Sequence, residues 1–126
     1  MTGATLDTGA LIALESGSRR MAVLVEEALA SQAELVIPAG VLAQAWRGGA
    51  GQARIARLLR ASVTTVIPLD QRQALRVGAI CAATGVSDVV DVSVAVIARD
   101  RGHPVITGDP GDIQAVEPSL TVLPPG

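Results

Sequence analysis

The 126 residues suit one domain with a sizeable core. Apolar residues make up 49% of the chain and aromatic ones 1%, so the core is expected to be built from Ala, Val, Leu and Ile, with Trp46 the only aromatic ring. With a net charge of −2 no general polyanion-binding surface is expected, and no stretch approaches the roughly 20 apolar residues of a membrane span.

The elements alternate from end to end. Residues 3–7 form a short apolar run ending in Asp7, which predicts a buried strand, and 9–15 carry a helical pattern. Ser18 is placed to cap a second helix to about Ala30. Residues 34–37 predict the next strand, stopped by Pro38, and 39–47 an apolar helix that ends at Gly48-Gly49. Residues 52–60 predict a helix with Ile55, Leu58 and Leu59 on one face and Arg54, Arg57 and Arg60 on another. The β-branched run 64–67 predicts a third strand.

Asp70 is placed to cap a helix ending at Gly85, and Ser87 one that carries Asp88 and Asp91 and stops at Gly102. A fourth strand is expected over 103–107, with His103 at the surface, then a turn and short helix over 109–114. Residues 120–123 predict a fifth strand at a sheet edge, and 124–126 a frayed tail. Strands alternating with helices imply an α/β fold, a parallel sheet of four to five strands with helices on both faces. Cys81, the only cysteine, falls on an apolar helix face and reads as a buried hydrophobe, in keeping with a reducing cytoplasm. No basic leader precedes the first strand, so no signal peptide is expected.

The acids carry the chemistry. Open α/β sheets place their sites at the carboxyl ends of strands, where Asp7 and Asp109 fall. Asp88 and Asp91 share one helix face, and Asp91 stands among Val89, Val90, Val92, Val94, Val96 and Ile97, where a carboxylate needs a partner or a metal. Asp112 follows Asp109 by one helical turn. Taken singly, Asp7, Asp88 and Asp109 are also helix caps; taken together they suit a hard divalent ion such as Mg²⁺ or Mn²⁺. His103 alone makes no zinc site, and no phosphate-binding glycine loop or nucleophile elbow is present. A phosphatase or receiver domain would also place an Asp after the first strand. The former needs a second Asp where Gly9 stands, and the latter a Lys, which this chain lacks entirely.

Four segments together resemble a PIN domain, and within that family a VapC-type toxin of a toxin–antitoxin pair. They are residues 6–14, beginning Leu6-Asp7-Thr8-Gly9; residues 36–49, with Gln44-Ala45-Trp46-Arg47; residues 88–95, beginning Asp88-Val89-Val90-Asp91; and Val105-Ile106-Thr107-Gly108-Asp109. Their order and spacing over nearly the whole chain carry the likeness. The resemblance implies a Mg²⁺- or Mn²⁺-dependent endoribonuclease with Asp7, Asp91 and Asp109 as catalytic, metal-binding acids. Asp88 and Asp112 become accessory acids. It also implies a homodimer and a small antitoxin that covers the acids, with apolar surface around Leu24, Val25 and Leu29 serving either contact.

The chain departs from the family at Gln44, where many members have Glu. Gln supplies a neutral oxygen that can orient water but adds no charge. One expectation is therefore an active ribonuclease; the alternative is a weakened or inactive module acting through antitoxin and self-association. The acids cannot attract RNA, so a basic residue must. Arg47, close to Gln44, is the first candidate for binding it.

Overall fold

The computed structural model describes residues 2–126. Its centre is a five-stranded, all-parallel sheet: β1 (Gly3–Leu6), β2 (Glu34–Pro38), β3 (Thr64–Ile67), β4 (Val105–Ile106) and β5 (Val122–Leu123), in the order β3-β2-β1-β4-β5. β1 is the middle strand and all four of its residues are buried. Its neighbours, β2 and β4, are buried almost throughout, which explains why these runs are continuously apolar.

The chain moves outward one way from β1 to β3 and the other way from β1 to β4 and β5. Right-handed crossovers then put the helices of the two halves on opposite faces. On the first face lie α1 (Thr8–Glu15), α2 (Arg19–Ser31) and α4 (Ala53–Arg60), packed around α1. On the second lie α5 (Gln71–Thr84), α6 (Val89–Arg101) and α7 (Pro110–Val116), packed around α6. The short α3 (Ala39–Ala45) touches both α1 and α6. The α/β fold read from the sequence, with helices on both faces, is the one observed.

α6 is the core helix: 92–98 are all buried, and it lies on β1, β2 and β4. Among the described residues no single helix is long and apolar enough to cross a membrane. The first-face helices join through Glu15. Its carboxylate accepts from the Ile55 amide at 2.8 Å, and its carbonyl accepts from the Arg54 guanidinium at 3.0 Å. Glu15 thus caps α4, whose own N-cap residue, Gln52, makes no side-chain cap bond.

Four local expectations change. His103 is buried, at 7% exposure, and precedes β4 rather than starting it. Its amide is spent on the Ala98 carbonyl, closing α6 around the left-handed Gly102. Its ring fills the place a side chain on Gly3 would need, with a Cβ there falling 2.6 Å from Nε2 and φ at +138°. The α6 N-cap is Asp88, not Ser87, because Asp88 accepts from the Asp91 amide at 3.0 Å. Residues 124–126 are not frayed, since the Ser18 hydroxyl that caps α2 also donates to the Pro125 carbonyl at 2.8 Å. Cys81 is only half-buried, though it packs against the core.

Candidate functional site

The direction of chain travel reverses between β1 and β4, and a crevice opens beyond the carboxyl ends of such strands. Asp7 ends β1 there. Its amide donates to the Ile106 carbonyl of β4 at 3.1 Å, which fixes it against the neighbouring strand. Its carboxylate is buried, at 7% exposure, and accepts from the Ala10 amide at 3.0 Å. Burial pushes its pKa up, the Thr107 hydroxyl and the amides of Ala10 and Gly9 pull it down, and Asp109 pushes it up again. Asp7 is therefore both the cap of α1 and an acid of the cluster.

Thr107 organises the facing loop. Its Oγ1 accepts from the Asp109 amide at 2.9 Å, which leaves its own proton for Asp7. One hydroxyl thus ties two acids that are far apart in sequence. The sequence reading missed Thr107. The signal was there, since a Thr that bonds the amide two residues on is an established turn former. Gly9 completes the approach: a Cβ on it would stand 3.3 Å from both Asp7 Oδ1 and the Gly108 amide nitrogen. A side chain here would push α1 and the β4–α7 loop apart by a few tenths of an ångström.

Asp109 sits at the N-cap position of α7 but makes no side-chain cap bond, so its exposed carboxylate is uncommitted. Asp112, also exposed, lies in the first turn of α7. Asp91 lies in the first turn of α6, half-buried. Its pKa is pushed up to about 6, first by burial and then by repulsion from Asp88, Asp112, Asp7 and Asp109. The packing of α6 on α7 and of α6 on β1 brings these groups within electrostatic reach.

The five predicted acids thus share one end of the sheet. They do not form a closed cage: among the described residues no three metal-ligating side chains gather tightly enough to hold an ion by themselves. The site is open. Depressions of about 460 and 490 Å³ lie elsewhere, one beside His103 and Ser119, the other beside Asp70 and Leu75. Oxygen-only donors with two or three free carboxylates fit Mg²⁺ or Mn²⁺, which keep several waters and take one or two carboxylates from a protein.

Gln44 joins this end of the molecule through its amide oxygen, which accepts from the Thr8 hydroxyl at 2.5 Å. Thr8 follows Asp7 directly, so the Gln44 side chain is oriented beside the strand end. Arg47 is exposed and folds back on its own chain, donating from one guanidinium nitrogen to the carbonyls of Ala43 at 3.0 Å and Trp46 at 2.7 Å. It therefore neutralises the C-terminus of α3. The sequence reading also missed Gln52, whose amide group fastens this loop by accepting from the amides of Arg47 and Gly48 and donating to the Ala45 carbonyl.

The PIN-domain family matches residues 4–117. This chain belongs to the PIN-domain family. Members of the family are in general metal-dependent nucleases. Among solved structures the fold is similar to that described as FitAB bound to an IR36 DNA fragment, with a TM-score of 0.62 and 17% identity over 97% of this chain and 94% of that one. Comparison with curated protein sequences gave no match.

Proposed function

We propose that this PIN domain is an endoribonuclease dependent on Mg²⁺ or Mn²⁺, the VapC-type toxin of a toxin–antitoxin pair. The observation that supports it best is Asp91. A half-buried carboxyl pushed up to about 6, first by burial and then by repulsion from four neighbouring acids, is an electrostatic arrangement that a bound cation would relieve. Asp7, Asp91 and Asp109 would hold the ion, with Asp88 and Asp112 as accessory acids. The ion supplies Lewis acidity and an acidified water.

The chain's own residues do the rest. Thr107 and the amides of Gly9 and Ala10 hold the Asp7 carboxylate in one orientation. Asp91 gives up its proton near neutral pH and becomes the acceptor. Gln44, held by Thr8, orients water without adding charge. Arg47, fixed at the end of α3, offers its remaining N–H groups to a phosphate. Open surface around the acids suits a polymer rather than a small molecule.

The neutral Gln44 favours one second reading, a weakened module acting mainly through an antitoxin and a second copy of itself. RNA cleavage with Mn²⁺ separates the two. Activity in the wild type that vanishes in Asp7→Asn supports the enzyme, whereas cleavage only in Gln44→Glu supports the weakened module. Partners follow from the toxin reading: RNA, a cognate antitoxin and a homodimer, in the cytoplasm. The fold neighbour holds FitAB on DNA, which is in keeping with an assembled form. A groove of about 320 Å³ lined by Val25, Leu29 and Leu58, and edged by Glu26, Arg54 and Arg57, is a surface an antitoxin segment would fit.

A further inference from the structure

The chain has one aromatic residue, and it is not in the core. Trp46 is 38% exposed, while the buried apolar side chains are Ala, Val, Leu, Ile and Met21. Its backbone leaves α3 in an extended conformation, although its amide still donates to the Leu42 carbonyl at 2.8 Å. The segment that carries it is unusually well fastened for a loop with two left-handed glycines, Gly48 and Gly49. Gln52 bonds the residues on either side of Trp46, and the Arg47 guanidinium lies on the Trp46 carbonyl. The ring therefore sits on a fastened backbone, and the cation of the next residue is held on that same backbone. Two residues earlier, Gln44 touches Thr8, the neighbour of Asp7.

We infer that Trp46 is a stacking platform for one unpaired base of a single-stranded RNA whose backbone passes the acids. The inference rests on the ribonuclease reading and adds the contact by which the substrate is gripped. Stacking needs a ring whose face is partly free and whose mount is rigid, so that little order is lost on binding. It is tolerant of base identity because every base has a π-face. Arg47, the next residue, supplies a cation for the backbone of the same strand. Gln52 is a positioning residue in this arrangement, acting through the loop it holds.

Because the chain has no Tyr or Phe, its fluorescence comes from Trp46 alone. The test uses the Asp7→Asn protein, which is expected not to cleave, titrated with a mixed-sequence single-stranded oligoribonucleotide of roughly eight residues and with the same backbone made of abasic sites. Stacking predicts strong quenching by the first and little by the second. In a cleavage assay Trp46→Leu should raise KM roughly tenfold and leave kcat nearly unchanged, and Trp46→Phe should restore most of the loss. Gln52→Leu should raise KM with Trp46 still present. Equal quenching by the abasic backbone, or an unchanged KM in Trp46→Leu, would overturn the inference and assign the ring to a protein contact. Failure of the wild type to cleave any RNA, with base-dependent quenching retained, would sink the ribonuclease reading and leave the platform standing.

Discussion

Asp91→Asn removes the cost of ionising a half-buried acid among other acids. In the folded chain Asp91 titrates near 6, against 3.8 for an ordinary aspartate. Between these values the folded protein holds a proton that the unfolded chain has released. Stability therefore falls as pH rises from about 4 to about 6, and the full cost remains above that. The two pKa values differ by an amount worth about 3 kcal/mol. Asp91 is only half-buried, so water screens this to about 1–2 kcal/mol. Asn keeps the shape and carries no charge, and the Asp91 amide that Asp88 caps is untouched. Asp91→Asn should thus be more stable than the wild type by about 1–2 kcal/mol at about pH 8, a rise in Tm of roughly 3–8 °C. The difference should vanish near pH 4. Urea denaturation of both proteins across this range, without metal, is the assay. A variant that is less stable than the wild type, or a difference independent of pH, would refute the view that burial and repulsion together load this site.

Added Mg²⁺ or Mn²⁺ should raise the wild-type Tm at neutral pH and do little for Asp91→Asn; an unchanged wild-type Tm at millimolar metal counts against the metal site. Gly9→Ala places a methyl 3.3 Å from the Asp7 carboxylate and from the Gly108 amide nitrogen, so kcat/KM for RNA should drop roughly tenfold or more, with stability lowered by only about 1 kcal/mol. Wild-type activity in Gly9→Ala would show that the close approach is dispensable. Glu15→Ala removes the cap of α4 and should cost about 1–2 kcal/mol in denaturation while leaving cleavage intact, because Glu15 lies away from the acids. Arg47→Ala should weaken RNA binding with the fold preserved, and equal binding by the variant would remove Arg47 from the substrate path.

The elements were legible because their signals are local. Asp70 and Gly85 bracket α5 as expected, and Asp7 closes the first strand at the predicted place. Apart from the α6 cap, which moved by one residue from Ser87 to Asp88, errors fell where a residue's role depends on a distant partner. His103 looked like the polar start of a surface strand, but it packs against Gly3 and bonds Thr5 across 98 residues. Residues 124–126 looked loose because nothing nearby in sequence holds them, while Ser18, more than a hundred residues earlier, does. Thr107 carried a local turn signal, but its link to Asp7 shows only once the two strands are side by side, and Gln52 gave no signal before its partners were known.

Periodicity, caps and glycine stops, all set within a turn or two of the chain, settled the order and kind of the elements and put an acid at each critical end. Strand order was not among these properties. It came from which apolar runs bury best together, and that put β4 beside β1 rather than at an edge. Only this neighbour relation brings Asp109 to Asp7 and both within reach of Asp91, because repulsion between carboxylates depends on distance through space and not along the chain.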